Sequence, residues 1–310
     1  MRWTMLEIIG KTNIDFMGKR HVAFGVSGLL VLLGLIALVQ IGTGAANLGI
    51  DFAGGTAVQL KFENAIGIEQ ARRALGKHGL RDAELQEFTQ DHKLLIRVKT
   101  EDTLEQKIAE KIVEVFETEF SQNKFVIDSS TEIGPTIGHR LQQDALLAIT
   151  ISLIGIILYV ATRFELRFGV AAAVATFHDV LAVLGIYYLL DKEITLLVVT
   201  ALLTLAGYSL TDSVVVFDRI RENLRARRRE TTLNIINAGI NQVLTRTLIT
   251  TLTVVLVLVP LTVFGGEVLH DFSLALLLGV LIGTYSSVFV ASPLLLIWPG
   301  GKGRLLSRGA

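Results

Sequence analysis

The chain has 310 residues and carries 29 basic and 29 acidic side chains, so its formal net charge is zero. This balance argues against a nucleic-acid-binding protein, and the absence of cysteine excludes disulfides, thiolate metal sites and thiol catalysis. Hydrophobic residues make up 51% of the chain but are distributed unevenly along it, which excludes a single water-soluble globule.

Six apolar segments are long enough to cross a membrane, because a helix needs about 20 residues to span the hydrocarbon core. One lies near the N-terminus and five lie in the second half of the chain. The segments are Val22–Ile41, Leu146–Ala161, Phe168–Leu190, Ile194–Phe217, Leu248–Phe264 and Phe272–Trp298. The first is longer than the apolar core of a secretion signal, about 7–15 residues, so we interpret it as an uncleaved anchor.

The Lys and Arg residues of the connections predict the orientation, because cytoplasmic loops of membrane proteins are enriched in them. Basic residues precede the first span and follow the second, fourth and sixth. The two remaining short connections contain one basic residue between them, Lys192. Both termini are therefore expected in the cytoplasm. The predicted organisation is a cytoplasmic segment 1–21, a first transmembrane helix 22–42, an outer domain 43–138, a five-helix bundle 139–300 with a cytoplasmic loop 218–244, and a cytoplasmic tail 301–310.

The outer segment alternates between strand and helix patterns. The predicted elements are strands at Thr56–Phe62, Glu84–Phe88, Leu94–Lys99 and Lys124–Ile127, and helices at Ile68–His78 and Thr103–Phe120. The order β-α-β-β-α-β is typical of a ferredoxin-like α+β fold. That fold hosts many functions, and the segment has neither metal-ligand spacing nor a phosphate loop, so we expect binding or movement rather than catalysis.

The connection 218–244 begins with a dense run of charges and continues with helical apolar spacing. Its apolar positions are Leu233, Ile236, Ile240 and Val243. Steps of three and four predict an amphipathic helix in the membrane interface before the fifth span. Packing against lipid at the membrane surface and a dedicated docking surface both account for this pattern, and we favour the first.

Four ionisable residues lie inside predicted spans, where a charge costs about 2.5–3.5 kcal/mol. They are His178 and Asp179 in the third span, Asp212 in the fourth and Arg246 at the start of the fifth. Asp212 precedes the cytoplasmic charges by six residues, and Arg246 enters from the same side, so adjoining antiparallel helices would place them at similar depth. We expect these two to pair, with Ser209 and Thr250 as accessory polar groups on the same helical faces.

Two interpretations of Asp212 and Arg246 remain open. The first is a static ion pair that holds two helices together. The second is proton conduction. Arginine stays protonated, so pairing with Arg246 favours the ionised form of Asp212. A conformation that separates the pair and leaves Asp212 dehydrated favours protonation of Asp212. Alternation between these states would give a proton-driven cycle. For His178 and Asp179, a locally satisfied polar pair and a proton relay fit the sequence equally well.

Glycines mark two further positions. Gly279 and Gly283 form a GxxxG step in the last span, which predicts close packing against another helix. Gly54 and Gly55 follow Asp51 at the outer end of the first span, where glycines permit a tight turn into the first strand and Asp can cap it. A structural hinge is the favoured interpretation of this motif, and proton entry is the alternative.

Several segments resemble the SecF family, which supplies the smaller membrane subunit of SecDF protein-export complexes. They are NLGIDFAGGT (Asn47–Thr56), the His-Asp pair of the third span, GYSLTDSVVVFDRIRENLR (Gly207–Arg225), NQVLTRTLITTL (Asn241–Leu252) and FGGEVLHDFSLALLLGVLIGTYSSVFVAS (Phe264–Ser292). The resemblance implies a six-span helical bundle similar to the resistance-nodulation-division (RND) exporters, with an inserted periplasmic domain, in the bacterial inner membrane.

The resemblance also implies partners and a mechanism. The expected partners are SecD, the SecYEG channel, YajC, YidC, unfolded preprotein and membrane lipids. Protons are the expected coupling ion, with no other cofactor, no metal and no enzymatic reaction, and the family's proton-pathway residues fall on Asp212 and Arg246. A passive scaffold of the channel and a small-molecule RND-type proton antiporter are the alternatives, although the small outer domain leaves little room for a drug-sized pocket.

Overall fold

The computed structural model describes residues 12–88, 91–99, 107–163, 165–226 and 230–297. The chain divides into two compact units. The helical unit comprises the residues up to Ala46, Thr150–Lys192 and the residues from Thr200 onwards. The sheet unit comprises Asn47–Ile149 and Glu193–Val199.

The elements alternate as the hydropathy pattern predicts, with helices flanking a small region of strands. In chain order they are α1 (Arg20–Thr43), α2 (Ile50–Ala53), β1 (Gly55–Phe62), α3 (Ile68–Lys77), β2 (Glu84–Phe88), β3 (Lys93–Lys99), α4 (Ile108–Glu119), β4 (Phe125–Ile133), α5 (Pro135–Arg163), α6 (Leu166–Leu189), α7 (Leu196–Ala226), α8 (Thr232–Phe264), α9 (Gly266–Ser286), a π-helical turn (Ser287–Ala291) and α10 (Ser292–Ile297). A 3-10 turn, Met17–Lys19, leads into α1.

Within the described ranges, six helical segments are long and apolar enough to cross a membrane. They are Met17–Thr43, Pro135–Val160, Leu166–Leu189, Leu196–Ala226, Thr232–Phe264 and Leu269–Ile297. Each overlaps one of the six predicted spans, so their number and order are confirmed. Several are longer than the apolar runs, because a helix continues into polar sequence until a residue or turn ends it.

The amphipathic segment before the fifth span is the first part of α8 rather than a separate interfacial helix. Ile236 and Ile240 are fully buried, in a cluster that includes Ile220 of α7 and Met17. The expected packing of this face on the membrane surface was therefore wrong. Between Gly239 and Leu248 the sequence contains no proline or further glycine to end the helix, and burial inside the protein removes the isoleucines from water.

The strands form one antiparallel sheet in the order β2-β3-β1-β4. Strand β1 is one of the two inner strands, and its Val58, Leu60 and Phe62 pack into a core with α3 and α4. The predicted order of strands and helices is found. Part of the predicted helix from Thr103 lies outside the described residues, and the described helix begins at Ile108.

The start of β1 depends on two glycines. Gly54 and Gly55 have φ values of 77° and 142°, a region that other L-residues rarely adopt. A Cβ at Gly55 would also lie well inside van der Waals contact with the carbonyl oxygen of Val98 in β3. The preceding Asp51 accepts a hydrogen bond from the backbone N–H of Leu196 at 2.9 Å. Asp51 therefore satisfies a donor at the start of α7, a contact that the sequence did not predict.

The sheet unit also holds a buried acid that joins the residues after α6 to the sheet. Glu193 is 6% exposed, and its Oε2 lies 3.2 Å from Nη1 of Arg97 in β3. Glu84 of β2 lies beside it and is paired with Lys99 at 2.8 Å. Burial raises the pKa of Glu193 to about 8, and the neighbouring carboxyl of Glu84 adds to the shift while the guanidinium of Arg97 opposes it. Burial also acts to raise the pKa of Glu84, but its interactions with Glu193 and Lys99 outweigh this effect, and the pKa of Glu84 is lowered. At neutral pH the proton of this pair is therefore carried by Glu193.

Replacement of Gly55 by alanine is expected to destabilise the sheet unit by about 1–3 kcal/mol, because the new Cβ enforces backbone strain and meets the Val98 carbonyl. Amide hydrogen exchange of β1 and β3, measured on the full chain in lipid, reports the change. Gly76→Ala is the matched control, since nothing lies within 4 Å of a Cβ there and alanine suits a helix. Equal exchange in the Gly55 variant and the wild type would contradict the requirement for glycine.

The raised pKa of Glu193 predicts a pH dependence. Because the folded state binds this proton more tightly than the unfolded state, the associated stability is present below about pH 4.5 and is lost as the pH rises to about 8. Exchange of β3 amides, corrected for the intrinsic effect of pH, should therefore accelerate across this interval. Glu193→Gln, which stays neutral, should remove most of the acceleration, whereas the exposed Glu63→Gln should not. Identical pH profiles for wild type and Glu193→Gln would disprove the assignment.

Candidate functional site

Close helix packing in the helical unit depends on the two glycines of the last span. A Cβ at Gly279 would overlap the side chain of Leu205 in α7. A Cβ at Gly283 would lie 3.4 Å from Cβ of Ser209 and 3.6 Å from Oδ2 of Asp179. The predicted packing role of the GxxxG step is confirmed, and Gly283 in addition leaves space for a polar cluster.

Asp179 is the centre of that cluster, and its side chain is 0% exposed. Nδ1 of His178 lies 2.9 Å from its Oδ1. Its Oδ2 accepts hydrogen bonds from Oγ of Ser286 at 2.8 Å and from Oγ of Ser209. The three partners come from α6, α9 and α7, so the cluster links three helices through one carboxyl group. An ionised carboxyl only accepts hydrogen bonds, and this environment offers donors on both oxygens.

Asp212 lies one helical turn beyond Ser209 and is partly buried. Its Oδ2 accepts a hydrogen bond from Oγ of Ser287 at 2.6 Å. Ser287 is itself fully buried and is the first residue of the π-helical turn that follows α9. Such turns are rare and are frequent at functional sites.

The expected pair of Asp212 and Arg246 is not among the ion pairs that the structure describes. Arg246 lies on the exposed side of α8. Thr250 directs its hydroxyl to its own helix, at 3.1 Å from the carbonyl oxygen of Arg246 and 2.9 Å from that of Thr247. In this structure Asp212 is therefore held by a serine hydroxyl, and the pairing of Asp212 with Arg246 stays a prediction.

One polar atom of the cluster has no hydrogen-bond partner among the described residues. It is Nε2 of His178, whose side chain is 4% exposed. A neutral imidazole with its proton on Nδ1 would leave Nε2 as a vacant acceptor beside Asp179. As for metals, the described part of the chain places no three His, Cys, Asp or Glu side chains where they could hold an ion.

The sequence did not single out Ser286 and Ser287. Two adjacent hydroxyls in an apolar span, beginning three residues after Gly283, were the available signal. Consecutive residues of a helix point about 100° apart. The two serines can therefore reach carboxyls on two different neighbours, Asp179 of α6 and Asp212 of α7, and this geometry became visible only in the folded bundle.

Two families match the chain. The family described as "Protein export membrane protein SecD/SecF, C-terminal" matches residues 112–300, and the "SecD/SecF GG Motif" matches residues 46–66, which include Gly54 and Gly55. The first match covers more than half of the chain.

Relatives and a solved structure agree with these matches. The protein translocase subunit SecF of Thermodesulfovibrio yellowstonii is 49% identical over 306 residues, which cover 98% of this chain and 100% of the relative. The subunit of that name from Escherichia coli O157:H7 is 40% identical over 289 residues, 93% of this chain and 88% of the relative. The crystal structure of SecDF, a translocon-associated membrane protein from Thermus thermophilus, superposes with a TM-score of 0.79 at 36% identity. That match covers 95% of this chain and 39% of the longer SecDF chain. This multi-pass membrane protein belongs to the SecF family of protein-export subunits.

Proposed function

We propose that the chain is a proton-driven subunit of a bacterial protein-export complex. Together with SecD it uses the proton motive force to assist the late export of preproteins through the SecYEG channel, with YajC and YidC as further companions. Protons are the coupling ion, no other cofactor is required, and the chain catalyses no reaction. The names of its relatives and of the SecDF structure support the role in export.

The observation that carries the proton coupling is the presence of two carboxyl groups inside the helical unit. The described side-chain partners of Asp179 and Asp212 are hydroxyls and a histidine rather than lysine or arginine. A fixed cation would hold a carboxyl in its ionised form, whereas hydroxyl partners leave it able to exchange a proton. A helix that serves only as an anchor has no need of acids that cost about 2.5–3.5 kcal/mol each.

A partner subunit of the SecD type is supported by the surface of α7. Small residues recur along this helix at steps of four, three and four, and all are exposed in the single chain: Thr200, Thr204, Gly207 and Thr211. The hydroxyls of Thr204 and Thr211 donate to carbonyl oxygens of their own helix at 2.9 and 3.0 Å. The result is a smooth stripe of small side chains with satisfied polar groups, the kind of surface on which membrane helices pack closely.

Arg246 supports the same assembly. It lies eighteen residues before the last residue of α8, Phe264, and therefore about 27 Å along the helix from that end. This depth is near the inner edge of a hydrocarbon core of about 30 Å. An exposed guanidinium there requires a carboxyl partner or water. A hydrated interface with SecD would supply the water and would allow Arg246 to approach Asp212 in another conformation of the cycle.

The proposed architecture is an RND-like bundle of six spans with an inserted ferredoxin-like domain. The sheet order β2-β3-β1-β4 and the packing of α3 and α4 into a common core with the sheet support the second part. The distribution of Lys and Arg supports an inner-membrane topology with both termini in the cytoplasm and the sheet unit in the periplasm.

Asp212→Asn tests the proposal, because the amide keeps the shape of the side chain but cannot bind and release a proton. Preprotein export into membrane vesicles should lose the component that depends on an imposed proton gradient, and should keep the component driven by ATP alone. The amount of assembled complex should equal that of the wild type.

Asp218→Asn is the matched control, since this acid lies on the same helix, is exposed, and has a described ion pair with the exposed Arg163, at 3.3 Å. It should change export little, because exposed pairs contribute about 0–1 kcal/mol. A passive scaffold predicts the opposite result for the test variant: Asp212→Asn would respond to the gradient as the wild type does, and the proton-driven role would then be rejected.

A further inference from the structure

The hydrogen bonds around the end of α9 connect the two carboxyls of the helical unit. Ser286 donates to Asp179 at 2.8 Å, and its neighbour Ser287 donates to Asp212 at 2.6 Å. Both serines are 0% exposed, so no bulk water competes for their hydroxyl groups. The two acids, on α6 and α7, are therefore joined through two consecutive residues of a third helix.

The two hydroxyls also share a second acceptor, the carbonyl oxygen of Gly283. Oγ of Ser286 lies 3.1 Å from this oxygen and Oγ of Ser287 lies 2.7 Å from it. The backbone N–H of Ser287 donates to the same oxygen. A carbonyl oxygen has two lone pairs, and each hydroxyl has one hydrogen. Once the N–H has taken one lone pair, the two serines compete for the other.

Because of this competition, the protonation state of Asp212 determines which acceptor each serine hydroxyl uses. When Asp212 is ionised, Ser287 donates to it, and the second lone pair of Gly283 is open to Ser286. When Asp212 is protonated, it no longer needs that donor, so Ser287 turns to Gly283. Ser286 is then left to donate to Asp179, and a hydrogen bond to the charged form of an acid favours that form.

The other groups that face the cluster are few. His178 lies beside Asp179 on α6, and the phenol of Tyr208 lies near Asp212 on α7. Tyr285 of α9 bonds instead to Ser27 and to the carbonyl oxygen of Ala23. Neither α1 beyond His21 nor α10 contains an ionisable side chain, and Arg246 of α8 is exposed. Among the described residues, the two serines are thus the hydrogen-bonded connection between the acids.

We infer that Ser286 and Ser287 are positioning residues that couple the protonation of Asp212 to that of Asp179, so that a proton bound at one acid favours the ionised form of the other. No proton passes along the serines, and only the direction of their hydroxyl groups changes. The inference rests on the proposed proton-coupled function and adds to it a second acid, which alternates with the first.

The test measures the titration of Asp179 directly, by infrared spectroscopy of the carboxyl band that disappears in Asp179→Asn. The full chain is used in its complex, in lipid. Asp212→Asn imitates a permanently protonated Asp212 and should move the titration of Asp179 to lower pH, by about tenfold in proton concentration, the worth of one hydrogen bond to a charged group. Adding Ser286→Ala or Ser287→Ala should reduce this shift by at least half.

Two controls separate the lost hydrogen bond from other effects. Ser213 of α7 is also fully buried, but its hydroxyl has no described partner, so Ser213→Ala should leave the shift intact. Ser286→Cys and Ser287→Cys fill the space with a weak donor and should act like the alanine variants. If cysteine restores the shift while alanine does not, a cavity rather than a hydrogen bond is responsible, and the inference is overturned.

Two further outcomes overturn it. The first is a shift of Asp179 that persists at full size in both serine variants, which would assign it to repulsion between charges through space. The second is a carboxyl band of Asp179 that does not respond to Asp212→Asn. Neither result depends on export. The proposed function is decided separately by the gradient response of Asp212→Asn, so the coupling and the export role can fail independently.

Discussion

The helical unit is organised around a carboxyl group that has no access to water. Leaving such a group without donors is costly, because burial removes its hydration, and a protein can offset the loss only with hydrogen bonds of its own. Asp179 obtains them from three helices, through His178, Ser209 and Ser286. The register of these helices relative to one another is therefore tied to one side chain, and any change in its protonation acts on all three.

Small residues make this arrangement possible. Gly279 and Gly283 allow α9 to approach α7 closely, and the second of them also borders Asp179. Apolar packing alone would not need the serines, since lipid-embedded helices associate well through small residues. The cluster thus combines a packing surface with polar groups that apolar packing does not require, which is the arrangement expected where a membrane protein handles charge.

The sheet unit uses a buried acid in a different way. Glu193 is almost as buried as Asp179, but it lies against Arg97 and beside Glu84, whose own partner is Lys99. Here fixed cations limit the cost of burial, whereas the acids of the helical unit have hydroxyl partners. Glu193 is thus held in a network of fixed charges, whereas the hydroxyl groups around Asp179 and Asp212 can reorient when these acids gain or lose a proton.

The sequence by itself determined the six spans, the order of strands and helices and the need for glycine at the start of β1. Each follows from a local requirement: enough apolar length to cross a bilayer, the alternation typical of a strand, or a backbone angle that only glycine adopts easily. Only the tertiary structure decided that the amphipathic segment is buried within α8, that Asp51 holds the start of α7, and that Ser287 donates to Asp212. These contacts join residues far apart in the chain, and the rotation and depth of each helix, which no local pattern encodes, select one partner among several of suitable chemistry.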